Sequence, residues 1–410
     1  MEKAMTNAVI GSIAQSNTTY NLVNAAKEVT IDILKNTELL TTLKNYGAIN
    51  TDADEIIGDT VNFYNLNRVD SNGLSESDDS YSNAADSVYG QRQLIMGAVN
   101  YTHKARKKNT MTAIRAETTV RDLKKGIREI MTQWGRSNIV ASLLNQIAGN
   151  TATSISRVEL SGTAFSGSTL NRVTGLNSVS AIEAGKFFYG NNNAGAPANP
   201  AAITSTNYAT LVDFMNIESN IFNVEDEQNV WTGFDSSAGC RALVLISRTN
   251  WNQMMNYAPV SNSYANLAFE RYQALSAAGS EKSRATGKMI GNYRVYESIF
   301  TPDLHYLVVD DHVLPRCVSS NAAVANTRVA LIIGKNAVDM KVGSMLPQIP
   351  NDQAAFNIRL DDQHEKLNNL DYFKLEMKYG LTRCTLQGTG SKAGTQYETG
   401  VAVLNLYSAT

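Results

Sequence analysis

The segment between Thr51 and Lys104 constrains the fold most. Two strand-like runs, residues 60–69 and 92–102, flank a stretch from 70 to 90 that is rich in Ser, Asp and Asn and carries almost nothing to bury. A two-stranded ribbon with such a tip is marginal in water when isolated. It must lean on something else, and another subunit is the expected support. Directly after it the apolar period changes from two to between three and four. Val120, Leu123, Ile127, Ile130 and Trp134 form a stripe that resumes at Val140, Leu143, Leu144 and Ile147, and Gly149-Asn150 supplies a stop. A helix over roughly 110–149 would span about 60 Å at 1.5 Å per residue, several times the usual helix length. Gly126 and Gly135 are the positions where it would kink or break.

Charge divides these two elements. Residues 51–89 hold nine acidic side chains and a single basic one, Arg68, whereas residues 101–128 hold nine basic side chains against Glu117 and Asp122. An acidic ribbon beside a basic spine suits docking of one copy's ribbon on the next copy's spine, since complementary fields set register and encounter rate. The residues expected to carry that contact are Glu76, Asp78, Asp79 and Asp86 on the ribbon. Lys104, Lys107, Lys108, Lys124, Lys125 and Arg128 are their counterparts on the spine. Two solvated faces of opposite sign are the simpler alternative.

The remainder reads as a globular chain with an α/β second half. Residues 21–45 carry one helical pattern, and 150–205 turn polar and small. Helices are expected at 208–222, 249–257 and 263–278, and strands at 241–246, 293–298, 304–309 and 329–333. A strand, turn and strand are expected over 373–381, 384–387 and 401–406. Of the 410 residues 43% are hydrophobic and only 18% charged, with a formal net charge of −2. The deficit of charge is made up by Asn, Ser, Thr and Gly, as in surfaces that become buried against other proteins. So even a balance argues against a dedicated nucleic-acid binder. Cys240, Cys317 and Cys384 are far apart, with no CxxC pair, so neither a disulfide framework nor a zinc site is encoded. No apolar run reaches membrane-spanning length, and the expected chain is soluble and made in a cytosol.

Catalytic signals are weak. His305, Asp310, Asp311 and His312, with Cys317 nearby, could ligate a metal, although the apolar run between the histidines reads as a buried strand entering a polar loop. Residues 388–394 superficially suggest a phosphate loop, but no helical pattern follows, and a hairpin turn is the better reading. Asp361-Asp362 lacks an acid–base context. No catalytic residue, cofactor or metal is expected.

The order of these parts resembles the tailed-bacteriophage major capsid proteins of the HK97 (Johnson) fold, and within them the family of the short-tailed coliphage N-four. The resemblance is carried by Ile57-Gly58-Asp59-Thr60-Val61-Asn62-Phe63 opening the loop and by Thr132-Gln133-Trp134 in a helix that closes with Ala148-Gly149. It continues through residues 241–246, 286–297 and 328–337 and through Lys378-Tyr379-Gly380-Leu381. It implies an α+β fold with an N-terminal arm (1–50) and an extended two-stranded loop (51–104). A spine helix (105–152) and the strands and C-terminus at 341–410 would belong to a peripheral domain. An axial α/β domain with surface insertions (153–340) would complete the chain. It further implies hexamers and pentamers closing an icosahedral virion shell, assembled in the bacterial cytoplasm around double-stranded DNA bound without sequence specificity. Implied partners are a portal and a scaffolding protein, with a decoration protein as a further candidate. Some relatives of this fold weld their shells through a lysine of the extended loop. No lysine lies between Asn45 and His103, which excludes that crosslink from this loop. The competing expectations are an encapsulin-like cellular shell and a metal-dependent hydrolase using His305, Asp310 and His312.

Overall fold

The computed structural model describes residues 37–52, 55–57, 60–66, 89–106, 113–150, 177, 179, 181–191, 197–223, 231–256, 288–290, 293–297, 301–319, 322–343, 358–365, 370–387 and 396–408. In chain order these form α1 (Glu38–Asn45), β1 (Ile49–Asn50), β2 (Glu55–Ile57), β3 (Thr60–Leu66), β4 (Tyr89–Ile95), β5 (Gly97–Arg106) and α2 (Ala113–Ala148). There follow β6 (Phe187–Tyr189), α3 (Leu211–Phe222), β7 (Ala242–Ser247), α4 (Arg248–Asn256), β8 (Lys288–Ile290), β9 (Tyr293–Glu297) and β10 (Leu304–Val309). The rest are β11 (Val318–Ser319), β12 (Ala322–Ala323), β13 (Thr327–Ile333), β14 (Val338–Val342), β15 (Ile358–Glu365), β16 (Leu370–Arg383), β17 (Thr385–Gln387), β18 (Gln396–Glu398) and β19 (Val401–Tyr407). The chain divides into two compact units, each assembled from three separate stretches. One takes residues 1–41, 96–139 and 341–380, the other 42–95, 140–340 and 381–410.

In the first unit, β16 is the central strand of an antiparallel sheet, with β15 on one side and β5 on the other. Its side chains alternate: Leu375, Met377 and Tyr379 are buried, and Lys374, Glu376 and Lys378 between them are half-exposed, the period-two pattern of a sheet with one covered face. Asn138 of α2 accepts a hydrogen bond from the Tyr379 hydroxyl at 3.4 Å.

The second unit is built on a seven-stranded mixed sheet in the order β6-β19-β13-β7-β10-β9-β8. β7 runs parallel to β10 and antiparallel to β13. Every residue of β7 and β13 is buried, which is why their stretches 242–246 and 329–333 read as continuous apolar runs rather than alternating ones. Ala242, Val244, Ile246, Tyr306, Ile332 and Leu404 face a layer formed by Phe214, Ile217 and Ile221 of α3 and Met254 of α4. Tyr306 lies at its centre, edge-on to Phe214 with ring centroids 5.2 Å apart, and its hydroxyl shares a 2.7 Å hydrogen bond with Thr301. The layer is set in place by a capping box at the start of α3. Thr210 accepts from the Asp213 amide, and the Asp213 carboxylate accepts from the Thr210 amide and hydroxyl.

The long helix is continuous from Ala113 to Ala148, 36 residues, so neither Gly126 nor Gly135 interrupts it. It ends as expected at Gly149, which adopts φ +68°. The Gly149 amide bonds to the Gln146 carbonyl and the Asn150 amide to the Asn145 carbonyl, the paired closure that calls for a left-handed residue. The expected stripe needs one correction. Ile130 is 46% exposed and Trp134 half-buried, whereas Met131, Thr132, Gly135, Asn138 and Ile139 are buried, so over 130–139 the covered line runs one residue out of phase with the apolar count.

The ribbon needs a second correction. The run expected at 92–102 is two strands. β4 pairs with β3, and after Met96 the chain continues as β5 in the other unit's sheet. A third strand, β2, lines the other edge of β3. Of the helix expected at 21–45 only α1 falls within the described residues, and the helix expected at 263–278 lies outside them.

Candidate assembly interface

The root of the ribbon has two unlike faces because register and pleat fix which side chains share a side. Val61 and Phe63 of β3 stand opposite Leu94 and Arg92 of β4. The three apolar residues of this face are fully buried. The other face carries Thr60, Asn62 and Tyr64 opposite Ile95, Gln93 and Gln91. There Tyr64 and Ile95 are 44% and 45% exposed.

Arg92 is a cation on the buried face, and it has a built partner. Its guanidinium forks onto Asp339 of β14, Nε to Oδ2 at 2.7 Å and Nη2 to Oδ1 at 3.2 Å. The Asp339 side chain is completely buried, and it also accepts from Asn50 Nδ2 at 2.9 Å. Asn50 sits opposite Asp339 in the parallel pairing of β1 with β14. Where β4 ends, the Asn177 side chain takes the place of a strand. Its Oδ1 accepts from the Ile95 amide at 2.8 Å and its Nδ2 donates to the Ile95 carbonyl at 3.0 Å. The Asn177 carbonyl in turn accepts from Gln146 of α2 at 3.3 Å.

A second buried polar cluster lies at the end of α2. Arg383 and Glu398, each with a side chain 3% exposed, pair at 2.8 Å. Arg383 also donates to the carbonyls of Gln146 and Ala181. The Lys186 ammonium donates to the Glu398 carbonyl and lies 3.5 Å from Glu183. Burial holds the Lys186 and Arg383 side chains below their ordinary pKa ranges, and the neighbouring glutamates oppose that shift.

The possible metal ligands are used elsewhere. Asp311 accepts from the Thr249 amide at 3.0 Å and the Thr249 hydroxyl at 2.6 Å, which seats the start of α4. Burial pushes the Asp311 carboxyl up, but those hydrogen bonds outweigh it and hold it low. Asp310 pairs with Arg248 at 3.0 Å. His305 is buried in β10, and its Nε2 is 4.0 Å from Glu297. Among the described residues no three His, Cys, Asp or Glu side chains gather in a metal-binding group. Burial pushes the Cys240, Cys317 and Cys384 thiols up to about 12, far from a reactive thiolate at neutral pH. Residues 388–394 lie outside the described residues, and they connect β17 to β18, which pair antiparallel.

Burial also lowers the His305 pKa below 6.5, with Glu297 pulling it back. The native state therefore takes up this proton less readily than the unfolded chain. Its contribution to stability is complete above pH 6.5 and is lost as pH falls through the folded-state value. His305→Gln should flatten that acid limb in a series of thermal melts across pH 4.5–8. A limb unchanged by the substitution would assign the acid sensitivity to carboxylates instead.

Of the sequence-derived contact residues, Lys104 lies on β5, and Lys124, Lys125 and Arg128 lie on α2. Glu76, Asp78, Asp79, Asp86, Lys107 and Lys108 lie outside the described residues. Arg92, Asp339, Asn50 and Asn177 were not singled out from sequence. The available signal was parity: Arg92 is two residues from Leu94, in phase with the buried side chains of the ribbon.

No protein-family model and no curated protein sequence matches this chain. Among solved structures it is similar to a chain of the capsid of Ralstonia phage GP4, at a TM-score of 0.57 and 13% identity over 88% of this chain and 87% of that one. The fold is that of a phage capsid subunit. The α+β, HK97-type architecture expected from sequence is thereby found over nearly the full length of both chains. Similarity is also found to the capsid of cyanophage Pam1, with a TM-score of 0.48 and 11% identity over 88% of each chain. The head of Helicobacter pylori bacteriophage KHP40 gives 0.49 and 10% over 87% of each.

Proposed function

We propose that this chain is a phage major capsid protein whose copies form hexamers and pentamers and close an icosahedral shell around double-stranded DNA. The observation that carries this reading is the capsid-subunit fold spanning 88% of the chain and 87% of its structural counterpart. A ribbon with one face buried at its root and Tyr64 and Ile95 exposed on the other supports it, because repeated heterologous contacts between identical subunits need such surfaces. In this reading the unit holding β5, β15 and β16 is the peripheral domain, and the seven-stranded sheet belongs to the axial domain. The finer kinship, to the coliphage N-four family, rests on the sequence runs at 57–63, 286–297 and 328–337. Portal, scaffolding and decoration proteins are the proposed partners, the virion the proposed location, and the role structural.

Electron microscopy of the purified chain, alone and co-expressed with its neighbouring genes, tests the proposal. Closed shells, tubes or ring-shaped capsomers are expected. A compact monomer in both preparations would overturn it, and shells filled with a protein cargo would favour the encapsulin-like alternative.

The same assay addresses the charged contact. Glu76, Asp78, Asp79 and Asp86 of one copy are proposed to meet Lys104, Lys107, Lys108, Lys124, Lys125 and Arg128 of the next. Lys124 and Arg128 are one helical turn apart on α2. The double substitution Asp78→Lys and Asp79→Lys should cut shell yield at least tenfold while the subunit still folds. Parent assembly should weaken as salt shortens the screening length from about 10 Å at 0.1 M to about 3 Å at 1 M. Normal shells from the double variant would remove the docking contact and leave the capsid assignment standing.

A further inference from the structure

We infer that Asp339 is the post on which the ribbon is hung, and that Arg92 is a positioning residue that fixes the ribbon's direction for assembly. The inference rests on the capsid reading for its consequence, but its structural content stands on the ribbon root alone. The chain enters the ribbon segment just after Asn50 and returns along β4. A single completely buried carboxylate holds both ends, accepting from Asn50 Nδ2 at 2.9 Å and from the Arg92 fork at 2.7 and 3.2 Å. Four residues beyond β4's Gln91, the Ile95 amide and carbonyl are both held by Asn177. The root is therefore fixed at three polar points.

The chemistry of those points differs from that of the apolar face beside them. Val61, Phe63 and Leu94 are buried but impose little direction, because apolar contact tolerates sliding. A planar guanidinium paired through two nitrogens with one carboxylate permits essentially one approach. Buried ion pairs of this kind are weak contributors to net stability compared with apolar side chains of similar volume. Arg92 and Asp339 are thus better explained by the orientation they impose than by the stability they add. A lysine would keep the charge and lose the fork. A methionine facing a leucine would keep the burial and lose both.

The test compares the parent with Arg92→Lys and with the double variant Arg92→Met, Asp339→Leu. Each is read by thermal melting, by hydrogen exchange of the subunit, and by shell yield under the electron microscope. The double variant should melt within a few degrees of the parent or above it. Exchange over residues 60–66 and 89–95 should nevertheless accelerate at least tenfold, with β7 and β13 unchanged, and closed shells should fall at least tenfold. Arg92→Lys should move the same two readouts by three- to tenfold. If the double variant fails to fold, Arg92→Lys decides on those readouts. Parent-like exchange in the ribbon strands, or parent-like shells from a folded double variant, would overturn the inference. Failure of the parent to form shells would overturn the capsid reading instead, and the exchange measurements would still decide whether Asp339 holds the root.

Discussion

Replacing Glu398 with alanine should lower the unfolding free energy by about 3–5 kcal/mol, the usual cost of stranding a buried charge. Arg383, a guanidinium that is 3% exposed, would lose its 2.8 Å carboxylate partner, with the Gln146 and Ala181 carbonyls remaining at 3.5 and 3.3 Å. Lys186 would lose a carboxylate that offsets its burial. The damage would spread because the cluster joins the β17–β18 hairpin, the Glu183–Lys186 turn and the last turn of α2. Glu398→Gln keeps an acceptor without the charge and should cost about half as much. Urea unfolding of the subunit reads both values from the midpoint at unchanged slope. A loss below about 1 kcal/mol for the alanine variant would mean that water reaches Arg383 and solvates it.

Tyr306→Ala should cost a similar amount, about 3–5 kcal/mol, by the loss of a large buried aromatic and the cavity left behind. The ring is fully buried, edge-on to Phe214 at 5.2 Å and tilted against Trp251 at 5.5 Å. Tyr306→Phe removes only the hydroxyl and leaves the buried Thr301 hydroxyl without it, a loss of about 1 kcal/mol. The separation between the two variants is the informative quantity. If the phenylalanine variant proved as unstable as the alanine one, the hydrogen bond rather than the ring would organise this layer.

Elements whose residues are buried on a regular period were legible in the sequence. β7, β10, β13, β16 and β19 are found within a few residues of where apolar runs place them, as are α3 and α4, because burial there is decided by hydrophobicity itself. The stop at Gly149 was legible for a different reason, since a left-handed residue after a helix favours glycine. The split at Met96 was not. The sequence 92–102 reads as one strand around an apolar centre at 94–99, and the division depends on Asn177, 81 residues after Met96, occupying the backbone groups of Ile95. The phase of α2 was missed because Gly135 and Asn138 are covered while Ile130 is exposed, which no apolar count anticipates. For the ribbon root, the alternation shows that Arg92 shares a face with Leu94, but that its partner is Asp339, 247 positions away, is a property of the folded chain.

The interleaving of the two units constrains when the molecule can first exist. The unit containing β5 and β16 is not closed until residue 380 has been made, and the seven-stranded sheet lacks its second strand, β19, until residue 407. At about 5–20 residues per second, the stretch from residue 96 to residue 380 takes roughly 15–60 s to make, and neither unit is complete before then. A nascent copy therefore holds neither unit in finished form until its late strands have been made. Under the capsid reading proposed above, contact between copies waits on these late strands, and the order of synthesis acts as a timer on assembly.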